Sequence, residues 1–298
     1  MFFSLRVASA PMRSDLLEGD GSRRAIVAHY PVPVKPPPAV PSPAATLVLL
    51  RDRPAGGVEV LLIQRHRDSR VAGGDYVFPG GKIEADDNPP DAARWCAGLD
   101  PAAAARRLGL GADARAALGY LAGAIRETFE EVGILLAGDA EGRPLPVEAP
   151  RFADYRRACD ADNRAFWDMV KAEKLVLATD RLTYFAHWIT PEESLARFDV
   201  RFFAAETPPG QAAVADEREI VDVRWLTPRE AIAANTRGEI SLRNPTVRNL
   251  ELLDGVGGRL AGEVLRGLAG REVPTIRPRV VMEEGQRRIL MPGDPGWN

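Results

Sequence analysis

The chain is poor in the residues that would place it in several common classes. Only two of its 298 residues are cysteine, Cys96 and Cys159, and only three are histidine, His29, His66 and His187. Two lone thiols exclude a disulfide framework and fit buried or insertion-borne thiols in a reducing compartment. Three scattered histidines exclude a histidine-based zinc site. No stretch approaches the roughly 18 apolar residues of a membrane span. The opening Met1-Phe2-Phe3-Ser4-Leu5-Arg6-Val7 lacks the apolar core of about 7–15 residues that marks a secretory signal. Charge is also nearly balanced, 39 basic against 42 acidic residues for a formal −3, which gives no reason to expect nucleic acid as a partner. The final Gly296-Trp297-Asn298 is not a peroxisomal address of the Ser-Lys-Leu type. The expectation is a cytoplasmic protein with neither membrane nor nucleic acid as partner.

What is present is the composition of a globular chain, 45% apolar and 27% charged, long enough for one large domain or two small ones. Prolines at 31, 33, 36, 37, 38, 41 and 43 predict an extended leader. Ala45 to Leu50 and Val58 to Ile63 read as buried strands joined by Pro54-Ala55-Gly56-Gly57, a hairpin. Residues 88–118 are rich in alanine and arginine, with Ala102 to Arg107 and Ala112 to Leu118 predicted helical. Apolar spacing at Tyr155, Cys159, Phe166, Trp167 and Val170 predicts a helix over Ala153 to Lys174. Thr190-Pro191-Glu192-Glu193 and Thr227-Pro228-Arg229-Glu230 both read as capping boxes that start helices. Strands are expected at about 182–189, 197–205 and 220–226, helix over 239–270, and a last strand pattern around Arg279 to Met282 and Arg288 to Met291. This alternation predicts an α/β fold with a mixed sheet.

Two short strings carry chemistry. In Arg126-Glu127-Thr128-Phe129-Glu130-Glu131-Val132-Gly133-Ile134, helical geometry puts Glu127, Glu130 and Glu131 within an arc of about 100° and Leu121, Ile125, Phe129 and Val132 on another. Like charges at these spacings cost a few tenths of a kcal/mol each, a penalty that a divalent cation reverses. Oxygen-only ligands suit Mg²⁺ or Mn²⁺. Gly133 can take the left-handed conformation that ends the helix. Taken alone, the glutamates also fit a solvated helix face. The other string, Phe78-Pro79-Gly80-Gly81-Lys82-Ile83-Glu84, follows a strand-like Asp75 to Phe78, and its glycine pair allows the backbone to approach a ligand or metal closely.

Together these strings resemble the two halves of the Nudix box, G-x5-E-x7-R-E-U-x-E-E-x-G-U with U aliphatic. Counted from Gly81, the first acidic position falls on Asp87, with Asp86 and Glu84 as alternatives in register. Between Asp87 and Arg126 lie 38 residues where the pattern has seven, an insertion of 31. A surface loop of that length adds little closure entropy. The resemblance implies a Nudix-type α/β/α sandwich with a mixed β-sheet, a helical insertion and a C-terminal extension. By it, Glu127, Glu130, Glu131 and Asp87 with the Gly81 carbonyl would hold Mg²⁺ or Mn²⁺. Arg126 would orient a neighbouring carboxylate or form a structural ion pair. A later acidic group, Glu219 or Glu217 of Asp216-Glu217-Arg218-Glu219, would act as base or lie in a solvated turn.

Upstream, Arg70-x3-Gly74-x3-Phe78-Pro79-Gly80-Gly81 has the spacing that ends the coenzyme A pyrophosphatase motif L-L-T-x-T-(S/A)-x3-R-x3-G-x3-F-P-G-G. Leu61-Leu62 also align, whereas Ile63, Arg65 and His66 replace the threonines and the small residue. Arg65, Arg67 and Arg70 would meet the substrate's diphosphate or a 3′-phosphate, or else pair with the acidic helix or with solvent. The expected substrate-binding residues are Arg65, Arg70, Gly74 and Phe78. The interrupted box, Trp188 to Phe203 and the tail Met291-Pro292-Gly293-Asp294-Pro295 are similar to the coenzyme A diphosphatase branch of the superfamily, the nucleoside diphosphate-linked moiety X motif 19 type. That resemblance implies hydrolysis of coenzyme A or acyl-CoA to 3′,5′-ADP and (acyl-)phosphopantetheine by a homodimer. The alternatives are hydrolysis of another small nucleoside diphosphate derivative, such as ADP-ribose, NADH or a nucleotide sugar, and a non-catalytic nucleotide-binding module. The expected organisation is a proline-rich leader over 1–43, the Nudix domain over 44–238 with its insertion at about 88–118, and a C-terminal helical extension over 239–298 packed on it.

Overall fold

A computed structural model describes residues 38–98, 100–143, 145–283 and 285–297. Most of the expected leader lies outside the described residues. In chain order the strands are β1 (Ser42–Asp52), β2 (Val58–Arg65), β3 (Tyr76–Val77), β4 (Gly80–Lys82), β5 (Ala137–Gly138), β6 (Val176–Leu177), β7 (Thr183–Ile189), β8 (Phe198–Glu206), β9 (Ile220–Leu226), β10 (Thr275–Ile276), β11 (Arg279–Glu283) and β12 (Gln286–Leu290). The helices are α1 (Pro101–Arg107), α2 (Ala114–Val132), α3 (Pro150–Ala161), α4 (Arg164–Ala172), α5 (Pro228–Thr236), α6 (Asn244–Val256) and α7 (Ala261–Ala269).

A mixed eight-stranded sheet runs β10-β7-β8-β1-β2-β3, with β4 also paired to β1 and β9 to β2. β1 is apolar toward both faces and lies parallel to β8, as a strand covered on both sides must be. Leu47 and Leu49 join a core with α2, α3, α4 and the insertion, while Val48 and Leu50 join a second core with α5, α6 and α7. The result is an α/β/α sandwich.

One edge of β1 is shared by two strands. Leu50 to Asp52 pair with Val60 to Val58 of β2, whereas Ala44 to Thr46 pair with Lys82 to Gly80 of β4. The sheet therefore splits along this edge, and a cleft opens where β4 takes over from β2. A Cβ on Gly80 would lie 2.3 Å from the Ala45 carbonyl oxygen, so glycine lets β4 fit there. The close approach expected of the glycine pair is thus made to β1 by Gly80, and to an α2 side chain by Gly81.

The insertion packs against the core. Ala104, Ala105 and Leu108 are buried with Ala117 and Leu118, and the buried Arg201 donates from Nε to the Leu108 carbonyl at 3.0 Å. The helix expected over Ala112 to Leu118 is the opening of α2 itself, capped by Asp113, whose side chain accepts from the Ala116 amide at 2.9 Å.

Four expectations need correction. The Ala153–Lys174 helix is two helices, because the Asp162 side chain takes the Arg164 amide at 3.0 Å and competes with the helical bond. Thr190 starts no helix: its hydroxyl accepts from the Phe198 amide at 3.0 Å and closes the β7–β8 loop. The residues after it have no apolar face to bury, and Leu195 is fully exposed. Residues 239–270 form two helices broken at Gly257. The segment beyond carries the strands expected around Arg279 and Arg288, β11 paired with β12, and a short β10 that pairs with β7. At the other end, β1 starts at Ser42, inside the stretch expected as leader.

Candidate active site

α2 ends at the cleft. Gly133 takes φ 73° and its amide donates to the Phe129 carbonyl at 2.9 Å, a left-handed cap that stops the helix one residue after the last glutamate pair. Arg156 of α3 donates from Nε to the Glu130 carbonyl at 2.8 Å, supporting the same terminus. The apolar arc of α2 packs in the first core, and the acidic arc turns to the cleft.

The cleft encloses about 500 Å³ and is lined by Glu127, Glu130, Glu131 and Arg126 of α2, Gly80 to Lys82 of β4, Arg65 of β2 and Glu219 of the turn before β9. Glu84, Asp160 and Asp216 complete an acidic rim, while Ala44, Val71, Phe198 and Val200 supply apolar wall. Seven carboxylates thus face three cationic side chains, Arg65, Lys82 and Arg126.

Arg126 is held on every side. It bonds Asp87 at 2.6 Å, Glu130 at 2.8 Å and Glu127 at 2.9 Å, and donates to the Lys82 carbonyl at 3.1 Å. Burial works against its charge, but the Asp87 hydrogen bond and the charges of Glu127, Asp87 and Glu130 outweigh it and push its pKa up. Glu131 accepts from the Gly80 amide at 2.8 Å on one oxygen and has Arg65 at 3.5 Å from the other. The second oxygen of Glu130, Oε1, is buried with no partner. A Cβ on Gly81 would lie 2.4 Å from the Glu127 carboxyl carbon, so β4 backbone and the carboxylate share one narrow space.

Burial is the main cause of the electrostatics. It raises the Glu130 pKa to about 7, against the opposing charge of Arg126. Glu131 rises well above the usual carboxylate range through burial and the neighbouring charge of Glu127, and Glu127 is raised by burial despite Arg126. Carboxyls whose bare charge is disfavoured in this way suit a bound cation.

The donor set fits a hard divalent ion: all carboxylate oxygens, one of them orphaned. As placed, among the described residues no three acidic, histidine or cysteine side chains converge on one metal point. Arg126 and Arg65 hold the glutamates instead.

Asp87 lies apart from the other expected acids. Its side chain is 1% exposed, with both oxygens taken by Arg126 and one also by the Glu84 amide at 2.8 Å, so it stands behind Arg126 and does not line the cleft. Phe78 is likewise off the cleft, 3% exposed in the second core. Gly74 shapes the loop with φ 80° and accepts from Gln64 at 3.1 Å. Arg70 is exposed and does not line the cleft. Of the expected substrate-binding residues Arg65 lines it, and of the two acids before β9 Glu219 does while Glu217 does not. Asp160, Asn163, Phe198 and Val200 were not anticipated as site residues; they come from α3, the loop after it and β8, and only the last two fall in a stretch that carried the family resemblance.

Comparison with known proteins agrees with this geometry. The family model NUDT19 Nudix domain matches residues 114–253, from the start of α2 into α6. The chain is 31% identical over 229 residues to the acyl-coenzyme A diphosphatase NUDT19 of Gallus gallus, covering 63% of this chain and 58% of that protein. It is 29% identical over 286 residues to the human acyl-coenzyme A diphosphatase NUDT19, covering 82% of this chain and 73% of that protein. The chain therefore spans less than two thirds of the chicken relative. A crystal structure of a NUDIX hydrolase from Alicyclobacillus acidocaldarius superimposes with a TM-score of 0.63 at 25% identity, covering 78% of this chain and 99% of that one.

Proposed function

We propose that the chain is a Nudix hydrolase, of a superfamily whose members generally use divalent metal ions, and that it is a metal-dependent pyrophosphohydrolase cleaving the diphosphate of coenzyme A or acyl-CoA. The products are 3′,5′-ADP and (acyl-)phosphopantetheine. The observation that carries this reading is the charge of the cleft: seven carboxylates against three cationic side chains repel an anionic diphosphate unless divalent cations lie between them.

Glu127, Glu130 and Glu131 with the Gly81 carbonyl would hold Mg²⁺ or Mn²⁺ in this reading, and such an ion would supply an activated water and charge stabilisation for the leaving oxygen. Arg126 keeps Glu127 and Glu130 oriented through its fork of hydrogen bonds. Glu219, on the rim with its side chain 61% exposed, would accept a proton from water in this reading. Arg65 meets the diphosphate. Little covalent chemistry is asked of these groups, since positioning and charge neutralisation supply most of the rate. Two lone thiols suit a reducing compartment, so the reading places the enzyme in the cytoplasm, and a homodimer is the assembly the family resemblance implies.

The substrate rests on the similarity to the two acyl-coenzyme A diphosphatases. The test is a mass-spectrometric panel of coenzyme A, an acyl-CoA, ADP-ribose, NADH and a nucleotide sugar with Mg²⁺ or Mn²⁺, beside a Glu131→Gln control. Release of 3′,5′-ADP and phosphopantetheine by the unaltered protein alone is the expected result. Preferential cleavage of ADP-ribose or NADH would keep the mechanism and discard the substrate.

A further inference from the structure

The two cleft arginines are held very differently. Arg126 has contacts of 2.6, 2.8 and 2.9 Å to three carboxylates. Arg65, at the end of β2, has only two long ones, Nη1 at 3.5 Å from Glu131 and Nη2 at 3.4 Å from Glu219, where a charged hydrogen bond is ordinarily about 2.7–2.9 Å. Its Nε is buried with no partner. A guanidinium with a spare donor, 22% exposed and loosely placed between two acids, is under-satisfied where it stands.

Nor is its contact with Glu219 needed to hold the turn before β9. The Asp216 side chain already accepts from the amides of Arg218, Glu219 and Ile220 at 3.0, 3.0 and 2.8 Å, and the His66 amide donates to the Glu219 carbonyl at 2.7 Å. What Arg65 does supply is positive charge to Glu131, the least exposed of the three α2 glutamates at 6%.

The geometry points to Arg65 as an internal counter-ion that exchanges partners. It lies against Glu131 and Glu219 while no cation is bound, and turns its donors to the substrate's diphosphate once a cation has taken its place beside Glu131. This rests on the hydrolase reading and adds to it an order of events: Arg65 is available to the anion only in the metal-loaded site. Arg65 therefore opposes metal binding by itself, yet strengthens the linkage between metal and nucleotide.

Calorimetric titration of the full chain with Mn²⁺ in the absence of nucleotide, then with ADP in the presence and absence of Mn²⁺, tests this on the wild type, Arg65→Gln and Arg65→Lys. Arg65→Gln is expected to bind Mn²⁺ roughly five- to tenfold more tightly, with Arg65→Lys close to wild type because the charge is kept. ADP should bind about tenfold more weakly to Arg65→Gln with Mn²⁺ present and unchanged without it. Unchanged Mn²⁺ affinity in Arg65→Gln would overturn the exchange, as would an equal loss of ADP affinity with and without Mn²⁺, the mark of a plain anion-binding arginine. Failure of the hydrolase reading would show separately, in a wild type that neither binds Mn²⁺ nor turns over any diphosphate.

Discussion

Arg126 is a charged side chain with 2% exposure surrounded by Asp87, Glu127 and Glu130, and its partners differ in what they can spare. Asp87 is wholly committed to it, whereas Glu130 keeps an unpartnered oxygen. Asp87→Ala should therefore destabilise the fold by about 3 kcal/mol, since it leaves a buried charge uncompensated on one side; urea denaturation measures it. Glu130→Gln should leave the unfolding midpoint nearly in place below pH 7, where the native carboxyl is itself protonated, and reduce metal-dependent turnover at least roughly 100-fold. Full activity in that variant would remove Glu130 from the proposed site. The neighbouring glycines make the same division. Gly80→Ala drives a Cβ into the Ala45 backbone and should lower stability strongly, while Gly81→Ala meets only the end of the Glu127 side chain. Its expected signature is a soluble protein with a loss in kcat of about tenfold or more. These roles were half legible: the carboxylates and glycines stand out as strings, but counting along the pattern assigned Asp87 to the metal. A short 3₁₀ turn at Ala85–Asp87 tucks it under Arg126, and nothing in the spacing shows that.

At the scale of elements, α2 joins the insertion to the site. Its first turns carry Ala117 and Leu118 into the core that α1 fills with Ala104, Ala105 and Leu108, so the inserted segment is bound into the fold of the helix that bears the glutamates. Leu108→Ala should cost about 2–5 kcal/mol, the range for a buried large-to-small change, and lower the melting temperature without altering KM. Little change would mean that the insertion contributes nothing to the core. The two Thr-Pro boxes show the limit of local signals. Thr227 and Glu230 cap each other reciprocally and Ala231 and Ala234 behind them are buried, so a helix forms; behind Thr190 nothing apolar needs cover. Capping chemistry marks where a helix can begin, but burial decides whether one does.

For the whole molecule, the sum of the buried acids sets the response to pH. Glu130 titrates near 7 in the folded state against an unfolded value of 4.5, and Glu127 and Glu131 are raised as well. The folded protein then holds protons more tightly than the unfolded chain, so this contribution is fully present below pH 4.5 and is lost as pH rises through about 7. In the presence of a chelator the melting temperature should fall between pH 5 and 8, with a loss on the order of 3 kcal/mol from Glu130. Mn²⁺ should restore stability at the upper end, by about 2.7 kcal/mol at a hundredfold excess over its dissociation constant. A metal-free stability that rises across this window would contradict the burial of these glutamates.

By itself the sequence determined the hairpin of β1 and β2, the strands β7 to β9, the acidic helix with its glycine end and the presence of the inserted segment, because each is written in local periodicity, capping chemistry or a contiguous motif. Only the tertiary structure decided the rest. It split the sheet edge so that β4 brings Gly80 and Gly81 against Glu131 and Glu127, placed Asp87 behind Arg126, sent Phe78 into the second core and brought Asp160, Phe198 and Val200 to one cleft. The physical reason is that these arrangements depend on which strand occupies which part of β1 and on which charges lose their water together. Both are properties of residues far apart in the chain, and no window along it contains them.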